Sequence, residues 1–329
     1  MSYDSIKLER GFYSTEKSFT QTLEDLDPSE NYKGTALEGL DAFERQLKRF
    51  DIKVTGQDSD TVSKFFKTTD AAVLFPEYLS RAVNAGILGN DKVESIIATT
   101  TKIDSLDYRS IKLDESVDKF YPEEVGEGNP IPELAITANS NLTELKKFGK
   151  MISASYEAIK FQKLDIFSLT LRRIGESISN CMFNEAISAI PFEKCETVTA
   201  TGTEFTYEDF VKLWLSFGQY EMSTIICNKN VARQLLLMPE FRDANAGLDF
   251  HGTGKLITPF GAEIICFEEL ADNDVIGLDK RYAIERVIAS DITTDYDKVI
   301  DKQLERATIS TIVGFSPILN GAVKHLQIA

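Results

Sequence analysis

The stretch Ser110-Ile111-Lys112-Leu113-Asp114-Glu115-Ser116-Val117-Asp118-Lys119-Phe120-Tyr121 sets Ile111, Leu113, Val117 and Tyr121 against Ser110, Lys112, Asp114, Ser116 and Asp118. A two-residue period of this kind is that of a β-strand with one wet face. The chain then meets Pro122, Gly126, Gly128, Pro130 and Pro132, and resumes with Leu134, Ile136 and, past Asn139 to Asn141, Leu142. Strand, breaker-rich tip and returning strand predict a long two-stranded loop projecting from the body. Such a hairpin exposes two strand edges and is marginal alone in water, so it is expected to lie against another subunit. A surface hairpin folded on its own domain is the plainer alternative.

Beyond that loop, Leu164, Phe167, Leu171, Ile174, Ile178, Met182, Ala186 and Ile190 advance by three or four, with Arg172, Arg173 and Glu176 off the stripe. The spacing predicts one long amphipathic helix within 155–190, stopped by Pro191. About 28 residues at ~1.5 Å each would make a spine of ~42 Å. Next, Thr206 and Asp209 form a capping-box start for a helix whose inner face is Phe210, Leu213, Trp214 and Phe217. Ser223 to Cys227 reads as a buried strand, Asn228 as the cap of a helix bearing Val231, Leu235 and Met238, and Gly261 to Phe267 as another strand. Ala307 to Val323 is uncharged, but Gly314, Pro317, Asn320 and Gly321 interrupt it. It falls short of the ~20 apolar residues of a membrane span and reads as strand, turn, strand.

Upstream, residues 1–35 are rich in Ser, Thr, Asp and Glu, broken by Pro28 and Gly34, which predicts an extended arm with little core of its own. Leu37, Leu40, Phe43, Leu47 and Phe50 make one helical stripe over Ala36 to Phe50. Val62, Phe65, Phe66, the run Ala71 to Phe75, and Tyr78, Leu79 and Val83 read as compact domain floor.

With 329 residues, 43% of them hydrophobic, the chain has material for a substantial core. A net charge of -16, from 52 acidic and 36 basic residues, argues against broad gripping of phosphate backbones. Cys181, Cys195, Cys227 and Cys266 have no paired spacing, and with only His251 and His325 neither a zinc module nor a disulfide framework is indicated. Met1 to Ser14 shows no secretory signal, and synthesis in the cytoplasm is the expectation.

Chemical signatures are sparse. Asp249-Phe250-His251-Gly252-Thr253-Gly254-Lys255-Leu256 resembles a phosphate loop, but Asp249 stands where its first Gly belongs and Leu256 where Ser or Thr follows the Lys. Glu268, Glu269, Asp272 and Asp274, or Glu123, Glu124 and Glu127, have the oxygen chemistry of a Ca²⁺ or Mg²⁺ site, and read better as solvated surface. Asn141-Leu142-Thr143 fits a glycosylation sequon without a secretory context. No catalytic residue, cofactor or metal is therefore assigned, and the chain reads as not an enzyme.

Taken in order, arm, projecting hairpin, spine helix, α+β domain and returning strand pair resemble the major capsid protein of tailed bacteriophages, of the Hong Kong 97 type. Phe148-Gly149-Lys150-Met151-Ile152-Ser153-Ala154-Ser155-Tyr156-Glu157-Ala158 is similar to the segment leading from that family's extended loop into its spine helix. Tyr207 to Phe210, Thr224 to Asn228, Leu256 to Ile264, Gly277 to Ile284 and Pro317 to Val323 resemble successive pieces of its axial domain and closing strands. The resemblance implies an α+β Hong Kong 97-type capsid fold with an N-terminal arm (1–56), a peripheral domain (57–100, 151–195 and 285–315), an extended loop (101–150) and an axial domain (196–284 and 316–329).

That resemblance also implies a function: self-assembly into pentamers and hexamers of an icosahedral shell around double-stranded phage DNA, held without sequence-specific binding. Partners would be further copies of the chain, with a scaffold protein, a portal and decoration proteins as additional candidates, and no membrane. The location would be the virion, after assembly in the bacterial cytoplasm. Residues expected at contacts between subunits are Ile111, Lys112, Leu113, Val117, Lys119 and Tyr121 on the loop, Arg172 and Arg173 on the spine, and Glu305 and Arg306 near the peripheral strands. Lys112, Lys119 and Asn320 align with no cross-linking motif, so no isopeptide chemistry is carried over. An encapsulin nanocompartment shell, which shares the fold, and an α+β enzyme are the alternatives.

Overall fold

The computed structural model describes residues 6–14, 17–90, 92–113, 124–129, 131, 133, 136–242, 258 and 260–328. The chain divides into two compact units, Met1–Asn90 with Lys147–Ser179 and Asp291–Thr311, and Asp91–Lys146 with Asn180–Ser290 and Ile312–Ala329. A four-stranded sheet runs in the order β1 (Ile97–Lys102), β9 (Ile284–Val299), β10 (Leu304–Pro317), β4 (Leu145–Ser155). β1 lies parallel to the start of β9, Thr101 opposite Val287.

In the first unit the N-terminal segment is folded, which corrects the expectation of an extended arm without a core. α1 (Phe19–Leu26) opens on a capping box between Ser18 and Gln21, and α2 (Ala42–Arg49) on one between Asp41 and Glu44. Phe19 and Leu23 are buried. So is all of Arg45, whose Nε donates to Asp27 Oδ2 at 2.9 Å, Nη2 to the Asp27 carbonyl at 2.5 Å, and Nη1 to Ser29 Oγ at 2.8 Å and the Leu40 carbonyl at 2.7 Å. The Tyr32 hydroxyl donates to the other Asp27 oxygen at 2.6 Å, and its ring lies 4.5 Å from the guanidinium carbon. A polar composition thus conceals a core built on a buried ion pair with several hydrogen bonds, which an apolar periodicity does not register.

α3 (Thr69–Val73) and α4 (Phe75–Leu88) supply the expected floor. Phe65, Phe66, Phe75, Tyr78, Phe167 and Tyr296 form one aromatic cluster, from 5.0 Å between the Phe66 and Phe75 centroids to 6.5 Å between those of Tyr78 and Phe167. The spine is two helices, not one: α5 (Tyr156–Phe161) and α6 (Leu164–Ser188). Between them the chain bridges to another segment, with the Val62 amide donating to the Gln162 carbonyl at 2.9 Å and the Leu164 amide to the Asp60 carbonyl at 2.8 Å. These bonds replace helix bonds, so the helix is broken just ahead of Leu164, where the apolar stripe begins. Within this unit α6 meets α4 at two glycines. A Cβ on Gly86 would lie 2.0 Å from the Arg172 carbonyl oxygen, and one on Gly175 2.1 Å from that of Val83.

The second unit holds a mixed five-stranded sheet ordered β5 (Glu196–Thr199), β11 (Val323–Gln327), β8 (Asp274–Leu278), β6 (Thr224–Cys227), β7 (Glu263–Cys266). β11 is parallel to β5 and antiparallel to β8, while β6 is parallel to β7 and antiparallel to β8. Every residue of β6 is buried, as its uninterrupted Thr-Ile-Ile-Cys requires of an inner strand covered on both faces. α7 (Tyr207–Ser216) and α8 (Lys229–Leu237) contribute Phe210, Leu213, Val231 and Leu235 to the core, with Phe217 from the turn after α7. The Asn228 side chain caps α8, accepting from the Val231 amide at 2.9 Å. Asp209 completes the predicted capping box: it accepts from the Thr206 amide and hydroxyl at 3.0 and 2.7 Å, and from those of Thr201 at 3.1 and 2.8 Å. Trp214 departs from its predicted inward place. It is 44% exposed and stacks on Phe260, because Phe210, Leu213 and Phe217 already fill the inner face.

Candidate assembly surfaces

The two-stranded loop is present where the alternation placed its root. β2 (Ile111–Leu113) runs antiparallel to β3 (Ile136–Ala138), pairing Ile111 with Ala138, Lys112 with Thr137 and Leu113 with Ile136. Ile111 is 55% exposed, Ile136 66% and Ile131 82%. The loop's own unit therefore leaves these side chains in water. The side chains of Lys112 and Leu113, and all of Val117, Lys119 and Tyr121, lie outside the described residues, as does the phosphate-loop-like string from Asp249 to Lys255 with Leu256.

Ser110 departs from the reading of this strand, because it was placed on the wet face and is buried. Its hydroxyl donates to Glu285 Oε2 at 2.6 Å, while the hydroxyls of Tyr108 and Thr101 donate to Glu285 Oε1 at 2.7 and 2.5 Å. Glu285 is itself only 6% exposed. Burial, and then the adjacent Glu285 carboxylate, push the Tyr108 phenol above its usual range. The two arms of the root are tied as well, the Thr143 amide donating to the Tyr108 carbonyl at 2.9 Å and the Asn139 amide to that of Ser110 at 2.8 Å. Arg109 Nη1 reaches the carbonyls of Asn139 and Ser140. Nothing in the sequence marks Glu285, one acid among 52 on a strand that carries others.

On the spine, Leu164, Leu171, Ile178, Met182, Ala186 and Ile190 are buried as predicted. The opposite side of α6 shows Ile166 at 57% and Leu169 at 67% exposure, with Arg172 and Arg173 also in water, and Phe161 on α5 is 73% exposed. Arg173 pairs with Glu176 at 2.7 Å, an exposed pair of small energetic weight. Glu305 is turned inward at 7% exposure, and burial, followed by the Glu305 carboxylate beside it, pushes the Tyr296 phenol well above its usual range. Arg306 is half-buried. In the second unit α7 and α8 expose Leu215 and Leu237, at 64% and 59%.

The acids Glu268, Glu269, Asp272 and Asp274 take separate pairings. Glu268 meets Lys229, Glu269 accepts from Asn184 at 2.6 Å, Asp272 from Asn230 at 2.9 Å, and Asp274 faces His325 at 3.0 Å. A cavity of about 350 Å³ lies between the start of α8 and residues 268–272. Among the described residues no three His, Cys, Asp or Glu side chains converge as a cation site, and no helix is long and apolar enough to cross a membrane.

Large apolar side chains thus stand in water on a loop, a spine and two helices, around filled cores. The fold is that of proteins forming closed shells. The capsid of a native GTA particle matches with a TM-score of 0.55 at 16% identity, over 73% of this chain and 90% of that one. The virus-like particle from Pyrococcus furiosus matches at 0.52 and 14%, over 76% and 98%, and the holo-SrpI encapsulin complex from Synechococcus elongatus at 0.50 and 10%, over 72% and 86%. Residues 139–302 match the family described as phage capsid protein, and the chain is a shell-forming protein of the phage capsid type with the Hong Kong 97 fold. No curated protein matches it in sequence. The matched family is one of structural proteins of the virion.

Proposed function

We propose that the chain is the major head protein of a phage, assembling as pentamers and hexamers into an icosahedral shell around double-stranded DNA in the bacterial cytoplasm. The observation that carries this reading is the loop built on β2 and β3, whose Ile111, Ile131 and Ile136 find no cover in their own unit. A second copy supplies that cover: the loop lies over the neighbour's spine, against the exposed Ile166 and Leu169 and beside Arg172 and Arg173. Many such contacts, each modest, let a shell close without trapping misjoined intermediates.

In this reading the first unit is the peripheral domain and the second carries the axial domain and the extended loop. The acidic balance of -16 suits a wall that contents must slide past, with no sequence-specific grip on DNA. A scaffold, a portal and decoration proteins are the further partners it calls for. An encapsulin shell is the second reading, favoured by the fold match to the encapsulin complex, while the phage capsid family match favours the first. The test is expression of the full chain and of a deletion of residues 110–135, followed by sedimentation and negative-stain microscopy. Shells, tubes or rings from the full chain and only soluble, folded protomers from the deletion are expected; shells from the deletion would refute the role of the loop.

A further inference from the structure

A buried carboxylate needs compensation for leaving water, and a cation is its ordinary partner. Glu285, in β9, has three hydroxyls instead: Thr101 from β1, and Tyr108 and Ser110 from the segment leading into β2. The cation next in sequence is directed elsewhere, since Arg286 bonds Thr100 at 3.1 Å and Glu94 at 2.5 Å. One hydroxyl comes from a strand of the sheet and two from the loop, so the carboxylate joins sheet to loop. Hydrogen bonds to a charged acceptor are stronger than neutral ones, and a buried group left unsatisfied is costly, so the three hold together.

We infer that Glu285 is a positioning residue for assembly: its carboxylate, with Thr101, Tyr108 and Ser110, fixes the direction in which the two-stranded loop leaves the sheet. The loop's contacts lie beyond this root, so a small change of angle at Ser110 displaces Ile131 and Ile136 by more than it displaces Ile111. The latch thereby sets where the loop meets its neighbour, and with it the curvature of the shell. This rests on the reading that the loop makes contacts between subunits.

The experiment compares full-length E285A, E285Q, Y108F and S110A with the wild type and with the deletion of residues 110–135. Each is followed by hydrogen exchange of the free protomer, light scattering during assembly, and particle diameters from microscopy. E285A should keep the melting behaviour of the core while amides in 103–113 and 136–143 exchange about tenfold faster or more, as loss of a charge-assisted bond predicts. Its assembly should be slower, with a broadened or shifted diameter distribution. E285Q keeps an acceptor and should recover part of both, while Y108F and S110A, which leave the carboxylate in place, should show graded versions. If E285A fails to fold, the two hydroxyl variants decide alone. Wild-type exchange at the root together with wild-type rate and diameter, in whichever of these variants fold, would overturn the latch even where the deletion abolishes shells; shells from the deletion would instead overturn the underlying role of the loop.

Discussion

Arg45 offers the sharpest energetic test of the folded N-terminal segment. Its guanidinium makes four hydrogen bonds, two of them to Asp27, and both residues are essentially out of water at 0% and 1% exposure. Arg45→Ala leaves the Asp27 carboxylate buried with the Tyr32 hydroxyl as its remaining side-chain donor. Removing one member of a buried pair costs about 3–5 kcal/mol, and the surviving tyrosine bond places this case near ~3 kcal/mol. Expressed as local opening, that is roughly a hundredfold faster amide exchange in α1 and α2 of the free protomer. Trp214, the one tryptophan, sits in the other unit, so its fluorescence is a control that should hardly move. A double-mutant cycle with Asp27→Ala should return a coupling of about 2–3 kcal/mol, and Arg45→Lys should not restore the wild type, since an ammonium cannot span Asp27, Ser29 and the Leu40 carbonyl as a fork. A coupling below ~0.5 kcal/mol, the value of an exposed pair, would refute the claim that this bond network organises the segment.

Two further outcomes follow from the local geometry. Burial would raise the Asp209 carboxyl, but the bonds from Thr206 and Thr201 outweigh it and hold it below the usual range. The depressed group stabilises the fold fully above the unfolded value of about 4 and loses that contribution as pH falls through the lower folded value. The urea midpoint of Asp209→Asn should therefore lie below that of the wild type at neutral pH and converge on it beneath about pH 4; a constant gap down to pH 2 would refute the assignment. Gly175→Ala gains about 1 kcal/mol of helix propensity but drives a Cβ to 2.1 Å from the Val83 carbonyl oxygen, a backbone atom that cannot swing away. With overpacking costs of about 1–3 kcal/mol the melting temperature should fall, and a rise would show that α4 and α6 separate freely.

The sequence was most legible where side chains follow one period. The capping box at Thr206 and Asp209, the strand from Thr224 to Cys227, the cap at Asn228 and the presence of a strand at the loop root all stand where propensity and spacing put them. It was illegible where long-range partners decide. The break after Phe161 comes from hydrogen bonds to residues 60–62, about a hundred positions away, and it falls just ahead of Leu164, where the apolar stripe starts. The N-terminal core escaped notice because Arg45 and Asp27 count as surface residues in any composition argument. At the loop root the alternation located the strand but assigned Ser110 to water, since a serine facing a buried carboxylate looks the same in sequence as one facing solvent. Glu305 is equally unreadable in sequence, a charge that faces a tyrosine of its own unit.

Gly86 and Gly175 bring α4 and α6 together main chain to main chain. Most helix seams yield under load because side chains between them can change rotamer, and that compliance lets one helix slide or tilt on the next. Where glycines meet backbone there is nothing to rearrange, and the interface responds as a hard stop. A force applied to the outer face of α6 near Leu169 or Arg172 passes into α4 with little loss, so the two helices bend as one beam. For a wall pressed from within, stiffness is then concentrated along this seam, and strain must be taken up elsewhere in the protomer.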